Sequence, residues 1–374
     1  LYASITISLE ALRTNAQRLR DLVAPARIAF AVKSNAYGHG LLETSLAVEP
    51  FAAMLCVYSL EEAVALRDGG IKKPLLIMGP VKPDSLDEAL ATKAAIALWD
   101  TGVYALQVAS TARRHNTAFP VHIKINTGLN RLGLSPQDAA DAIEDYLRMG
   151  ELQIEGVFSH LSAAEELDSP FTLAQLATFE SALAPVQEQL QNQSRKPLLH
   201  IAASAAAMLW PQTRLDMVRS GIALYGLWPS PGTQQAMQTA LALEPALRYE
   251  TAIVAVRRVA AAEAIGYGTT FHSRQPMRIG ILPLGYADGI PRLFSNTGAF
   301  LVRGARCPIV GRVCMNMTMI DLANAPEAAI EDRVTLIGRD GNASITADDW
   351  AAWAQTINYE IVTRLPAEIP RTYA

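Results

Sequence analysis

The sequence predicts an α/β chain, a (β/α)8 TIM barrel followed by a mainly β C-terminal domain, divided as 1–235 and 236–374. Three observations predict it. Eight short apolar runs punctuate about the first 225 residues, helix-like segments separate them, and the texture changes after Gly226. The 374 residues exceed one ordinary domain of about 100–200 residues. Half of them are hydrophobic and 18% charged, which fits a globular chain with a sizeable core.

In order, the runs are RIAFAV (27–32), MLCV (54–57), PLLIMG (74–79), AAIALW (94–99), PVHIKI (120–125), IEGVFS (154–159), PLLHIA (197–202) and MVRSGIAL (217–224). Strands apolar on both faces belong to a parallel sheet covered by helices. Between them, SLEEAVALRDGG (59–70) reads as a helix capped by Ser59 with Glu62 three positions on, and SPQDAADAIEDYLRMG (135–150) as one opened by Pro136 and closed by Gly150. Eight such units in about 200 residues favour a closed barrel over an open sheet. Beyond Gly226, LWPSPGTQQAMQTAL is rich in Pro, Gly and Gln. Short β-prone runs then follow at 249–259, 277–289, 299–304, 307–322 and 333–338, with one helical piece near 344–357.

Composition excludes several function classes. With 32 basic and 36 acidic residues the formal charge is −4, lacking the basic excess that a nucleic-acid partner demands. No apolar stretch reaches the roughly 18 residues of a membrane span, and the opening LYASITISLEALRTNAQRLR shows no signal-peptide pattern. Cys56, Cys307 and Cys314 are too scattered for a disulfide framework or a zinc site, so a reducing, cytoplasmic compartment is expected.

Reactive groups of a parallel barrel gather at the carboxyl ends of its strands. That filter selects Lys33, Lys124, Arg131, His160, Ser204, Arg219, Gly221 and Ile222, a cation-rich set suited to an anionic ligand such as a phosphate. Lys33 has two readings: an exposed strand-end lysine, or a Schiff-base lysine whose amine is desolvated and set near Arg131 and Arg219. Tyr37 reads equally as a core tyrosine or a phosphate donor, and Tyr267 in GYGTT as a turn tyrosine or an acid/base group. Met315 and Cys314 read as core by composition. His39, His115, His122, His200 and His272 form no metal-ligand pattern and read as structural or solvated.

Nine blocks, AVKSNAYGHG (31–40), KINTGLNRLG (124–133), FSHLSAAEE (158–166), HIAASAA (200–206), MVRSGIALYGL (217–227), IGYGTTF (265–271), LGYADGIPR (284–292), GRVCMNMTMIDL (311–322) and INYEIVTRLPAEIPR (357–371), resemble the alanine racemases in order and spacing, across essentially the whole chain. The resemblance implies a pyridoxal 5'-phosphate enzyme of fold type III, an isomerase working as a homodimer with shared active sites on a small amino-acid substrate. Lys33 matches the lysine that holds the cofactor covalently. Tyr37, Ser204, Gly221, Ile222 and Tyr359 match the phosphate-binding groups, and Arg219 the arginine facing the pyridine nitrogen. Arg131 matches the residue near the phenolic oxygen, and Lys124 the lysine carbamylated in many members to hold that arginine. His160 resembles the histidine linking Arg219 to the catalytic tyrosine. Met315 and Tyr286 match a substrate-carboxylate contact and an entrance tyrosine, with Asn316 beside them.

Racemisation removes a proton from one face of the α-carbon and returns one to the other, so it needs two acid/base groups. The resemblance assigns these to Lys33 and to Tyr267 of the partner subunit, the product D-alanine serving peptidoglycan. Three positions depart from the family pattern: Asn126 and Asn316 stand where aspartate is usual, and Ala203 where asparagine is usual. Asn126 and Asn316 leave a serine or broad-specificity racemase as the alternative substrate reading. A non-catalytic cofactor-binding barrel is the alternative of another class, and the second-face motif IGYGTTF argues against it.

Overall fold

The computed structural model describes residues 2–374, which divide into two compact units. One comprises residues 11–36 and 41–245; the other comprises 2–10, 37–40 and 246–374.

The chain opens with β1 (Ser4–Ile7) and α1 (Leu9–Val23). The first unit then alternates β2 (Arg27–Ala31), α2 (Leu41–Val48), β3 (Met54–Val57), α3 (Leu60–Asp68), β4 (Leu75–Ile77), α4 (Leu86–Ala91), β5 (Ala95–Leu98) and α5 (Val103–Arg114). It continues through β6 (Phe119–Lys124), α6 (Ala139–Arg148), β7 (Leu152–Phe158), α7 (Phe171–Leu183), α8 (Gln187–Gln191), β8 (Leu198–His200), α9 (Ser204–Leu209), β9 (Met217–Ser220) and α10 (Pro231–Met237). Parallel pairing runs β8-β7-β6-β5-β4-β3-β2-β9. Two backbone bonds, Asp216 N to Leu199 O (3.1 Å) and Arg219 N to Ala202 O (3.0 Å), bring β9 back to the β8 segment and close the barrel as expected.

All residues of β3, β4 and β5 are buried, as strands with two covered faces must be. In α6 the buried set Ala139, Ala142, Ile143 and Tyr146 follows the i, i+3, i+4, i+7 spacing of a single helix face. That helix starts at Ala139 and not at Pro136, because Ser135 Oγ accepts the Asp138 N–H (3.1 Å) and holds 135–138 as a turn. The expected capping box of Ser59 and Glu62 opens α3. The Pro- and Gln-rich stretch after Gly226 contains α10, capped by Ser230.

The second unit holds a larger sheet ordered β16-β15-β18-β10-β1-β20, built from β10 (Leu247–Ala252), β15 (Ala299–Val302), β16 (Ala305–Pro308), β18 (Arg333–Asp340) and β20 (Arg371–Tyr373), with β19 (Ala343–Ile345) on β18. β1 pairs antiparallel with β10 and parallel with β20. The sequence reading carried the barrel from residue 1; the first strand belongs instead to this sheet. A second sheet joins β11 (Ala255–Val259), β14 (Met277–Leu282) and β17 (Thr318–Asp321), and β12 (Ala264–Ile265) pairs with β13 (Phe271–His272). Helices α11 (Ala347–Ala354) and α12 (Asn358–Thr363) complete the unit. Trp350 of α11 is buried, donates to Leu336 O (2.9 Å) and sits against the rings of Tyr249, Phe294 and Phe300. Among the described residues no helix is long and apolar enough to cross a membrane.

Candidate active site

At the carboxyl ends of the barrel strands, Lys33 follows β2, Lys124 ends β6, His160 follows β7, Ser204 opens α9 and Arg219 lies in β9 ahead of Gly221 and Ile222. The barrel thus collects on one face the residues selected by the strand-end filter. Burial lowers the pKa of the Lys33 amine, the Arg131 cation lowers it further, and the Glu62 carboxylate opposes both. The Lys124 amine is brought down to about 8 by burial, Arg131 and Arg219, and lies 5.6 Å from the centre of the Phe158 ring. Lys33 is half-buried, between the exposed and the desolvated lysine that the sequence allows.

Lys33 is followed by an unusual turn. Ser34, Asn35, Ala36 and Tyr37 have φ of 55°, 54°, 51° and 53°, four successive left-handed residues with no glycine among them. For residues with a Cβ this conformation costs about 1–2 kcal/mol each, so the surrounding structure must hold it.

Arg219 is buried, which brings its pKa down to about 10 and leaves it a cation at neutral pH. Nη1 donates to His200 Nδ1 (2.6 Å) and His200 O (3.1 Å); Nη2 donates to Ser159 O (2.8 Å), His160 Nδ1 (3.3 Å) and Ile201 O (3.4 Å). Arginine only donates, so both histidine Nδ1 atoms accept and the proton of each neutral ring sits on Nε2. His200 Nε2–H therefore donates to His122 Nδ1 (2.8 Å). That puts the His122 proton on a buried Nε2 that has no hydrogen-bond partner among the described residues. Burial and the neighbouring cations hold His122 and His160 down to about 3, and His200 well below its ordinary value. Phe158 stacks parallel to His200 at 5.0 Å, and the Arg219 guanidinium lies 5.3 Å from the centre of the same ring. Gly156 leaves room for the network, because a Cβ there would meet His122 Nδ1 at 2.4 Å.

Beside Arg219, Ser204 Oγ accepts the Gly221 N–H (2.9 Å) and lies 3.2 Å from Ser220 Oγ. Ile222 is buried next to them. The loop carrying Arg131 is closed at its base by Leu134 N to Lys124 O and Asn126 N to Leu134 O, both 2.8 Å. Asn126 Oδ1 accepts from the N–H groups of Gly128 (3.2 Å) and Asn130 (2.9 Å), and its Nδ2 donates to Asn130 Oδ1 (2.9 Å).

In the second unit, the rings of Tyr37 and Tyr359 come within 6.3 Å of each other, a pairing of distant blocks. Tyr267 is 71% exposed, in the tight turn between β12 and β13. Gly266 (φ 77°) and Gly268 (φ 69°) flank it, and a Cβ on Gly268 would run into the Arg312 guanidinium at 2.9 Å. Beneath the turn, Ile265, Ile279, Val310 and Met319 form a small core, with Cys314 partly buried against it. Met315, read as core by composition, is exposed. Its carbonyl accepts Ala287 N while Cys314 O accepts Tyr286 N, both at 3.0 Å, so Tyr286 and Met315 are held on adjacent segments. Asn316 Nδ2 donates to Asp288 Oδ2 (3.4 Å). Tyr286 also lines a cavity of about 550 Å³ with Arg292, Glu360 and Arg364.

Comparisons with known proteins agree with this geometry. Models of the alanine racemase N-terminal and C-terminal domains match residues 7–229 and 246–373. An alanine racemase of Symbiobacterium thermophilum is 38% identical over 368 residues, covering 98% of this chain and 96% of its own. The chain belongs to the alanine racemase family. Members of this family are isomerases, and solved structures repeat the architecture. The crystal structure of alanine racemase from D-cycloserine-producing Streptomyces lavendulae superposes with a TM-score of 0.92 at 33% identity, covering 100% of this chain and 97% of that one. The Bartonella henselae alanine racemase, solved with covalently bound pyridoxal phosphate, has a TM-score of 0.87 at 26% identity, covering 100% and 99%.

Two of the histidines expected to be structural or solvated prove structural. His122 and His200 are buried, not solvated, and they support the Arg219 guanidinium. A signal existed: His122 and Lys124 stand two apart on one strand and so share a face. The usual asparagine at 203 is absent, and Ala203 begins α9 without a side-chain cap.

Proposed function

We propose that the chain is a pyridoxal-phosphate-dependent racemase interconverting L-alanine and D-alanine with two bases, Lys33 on one face and Tyr267 of the partner subunit on the other. The observation that carries this reading is the buried Arg219. Among the described residues its hydrogen bonds run from Nη1 and Nη2 to carbonyl and imidazole acceptors, and none reaches a carboxylate. Its Nε–H is the donor left for an acceptor on a ligand, such as a pyridine nitrogen. A guanidinium with a pKa of about 10 donates to that nitrogen at neutral pH without transferring its proton.

The donor set of the barrel suits pyridoxal phosphate: a depressed lysine amine for its aldehyde, Arg219 for its ring nitrogen, and the Ser204 hydroxyl with the Gly221–Ile222 backbone for its phosphate. When bound, this cofactor withdraws electrons from the substrate and acidifies the proton on its α-carbon. Lys33, its amine neutral more readily than an ordinary lysine's, takes or returns that proton on one face. Tyr267 serves the other face, and its exposed turn suits a group offered to a second copy. With Nδ1 occupied by Arg219, His160 keeps an Nε2–H free to stabilise a phenolate oxygen. Arg131 holds the substrate from the barrel, and Met315, Tyr286 and Asn316 of the partner subunit hold it from the other side.

Lys124 joins the site as a carbamate, since addition to carbon dioxide needs the neutral amine that a pKa of about 8 makes available. Isotope-labelled bicarbonate would place a carbamate signal on Lys124, and its absence above pH 8 would remove this part of the reading. A homodimer fits the exposed apolar residues Leu293, Met315, Met317 and Ile357 of the second unit. Three free thiols fit a cytoplasmic setting, with D-alanine feeding peptidoglycan.

The deciding experiment is proton NMR of the cofactor-loaded protein in deuterated buffer with L-alanine or L-serine, followed by chiral analysis. Fast α-proton exchange with D-alanine formed, and slower exchange of serine, is the expected result. Preferred turnover of serine would overturn the substrate assignment, and no exchange of either would overturn the racemase reading.

A further inference from the structure

The left-handed turn after Lys33 is tied down by one side chain from the neighbouring βα unit. Glu62 Oε1 accepts the N–H groups of Ser34 (2.5 Å) and Asn35 (3.3 Å), while Oε2 accepts those of Tyr58 (2.9 Å) and Ser59 (3.4 Å). A single carboxylate thus gathers backbone donors from the segment after β2 and from the start of α3. Asn35 adds a bridge of its own, its Oδ1 accepting the Leu41 N–H at 2.9 Å. Capping α3 needs only the Ser59 bond; the two bonds to 34 and 35 are extra, and they fall on the first two strained residues after the lysine. Backbone held in a sparsely populated region persists where its surroundings over-determine it, and such strain gathers at functional sites.

We propose that Glu62 is a positioning residue for Lys33, its carboxylate clamping the left-handed turn at 34–37 and so fixing where the Lys33 amine stands. This inference rests on Lys33 being the reactive amine. The same carboxylate is the anion that opposes the effect of Arg131 on Lys33, so it influences both the place and the charge of that amine. A glutamine cannot replace it. Its single oxygen satisfies one pair of N–H donors and its NH2 faces the other.

The test uses the full chain stripped of cofactor, to which pyridoxal phosphate is added across a range of pH. Borohydride fixes the adduct, and peptide mass mapping gives the labelled residue and its rate. In the parent protein the label falls on Lys33; a label on any other lysine would refute the reading on which the inference rests, and leave Glu62 nothing to position. With Lys33 labelled in the parent, Glu62→Ala is expected to lower the alkaline plateau rate at least tenfold. It should also move the midpoint of the rate–pH profile to lower pH, because the charge that favours the ammonium form is gone. Ser34→Gly in the Glu62→Ala background should recover at least threefold of the rate, since glycine adopts φ near 55° without strain and the Ser34 side chain is exposed. A parent-like plateau in Glu62→Ala would overturn the proposal. So would a loss with an unmoved midpoint that Ser34→Gly does not rescue, which is the behaviour of an ordinary helix cap. Should Glu62→Ala fail to fold, Glu62→Gln is read by the same two quantities.

Discussion

Lys124, His160 and Arg219 at the barrel's carboxyl face differ from Tyr267, Tyr286 and Met315 on the loops of the second unit in nearly every physical respect. The barrel groups are buried or half-buried and shifted in pKa by burial and by neighbouring cations or a thiol, and Arg219 is hydrogen-bonded to His200, Ser159 and His160 at 2.6–3.3 Å. The loop groups are exposed, and backbone bonds, glycines and a small apolar core hold them in place. A barrel can tune a group by enclosing it. A loop can only aim one, and the environment that would tune its chemistry has to come from another surface. That contrast supports the proposal that the second unit serves a site shared between two copies.

Substitutions test the contrast in order of expected effect. Lys33→Ala is expected to lower turnover by at least about a thousandfold, measured by chiral chromatography, and to abolish the borohydride-fixed label; turnover within tenfold of the parent would break the assignment. Tyr267→Phe should cost about 10²–10⁴-fold while stability stays within about 0.5 kcal/mol, as for an exposed residue. Because the two enantiomers are equal in free energy, kcat/KM must fall equally in both directions. The asymmetry appears instead in deuterium exchange, where one enantiomer keeps exchanging its α-proton through Lys33 and its mirror image stops. Equal exchange of both would leave no second base at Tyr267.

Acid should distinguish the buried face by stability alone. His122 is held down to about 3 from an ordinary value of 6.5, so below about pH 6.5 the unfolded chain binds a proton that the folded one refuses. Its contribution is complete above that pH and is lost as the pH falls toward 3, by up to about 1.4 kcal/mol per unit. His160, also near 3, and His200 act in the same direction. Urea denaturation at pH 7 and pH 5 should show the loss, and His122→Gln should reduce it; a pH-independent midpoint in the parent would contradict the neutral, buried network. The smallest effect is a gain. Ala203→Asn supplies a cap to α9 and should stabilise the chain by about 1 kcal/mol, read as a higher melting temperature with turnover unchanged.

Much of this was legible in the residues. Eight apolar runs mark the barrel strands because a parallel sheet hides both faces of every strand, and the strand-end rule found Lys33, Lys124, His160, Ser204 and Arg219 because barrel topology fixes where strand ends lie. Glu62 was legible as a cap and not as the clamp on Lys33. His122 and His200 were legible as structural or solvated, and they are structural; their meeting was not legible, since nothing local says that one strand's imidazole meets another's.

The sequence by itself determined the barrel, the β-rich second unit and the family, all of which follow from periodicity and from motifs contiguous along the chain. Only the tertiary structure decided that β1 joins the second unit, through pairing with strands more than two hundred residues away. It alone set the tautomers of His200 and His160, because a histidine's proton is placed by its partner and the partner here is Arg219. It alone revealed four successive left-handed residues, the first two of them bonded to Glu62, since strain is a property of φ, and φ is settled by what the rest of the molecule holds in place.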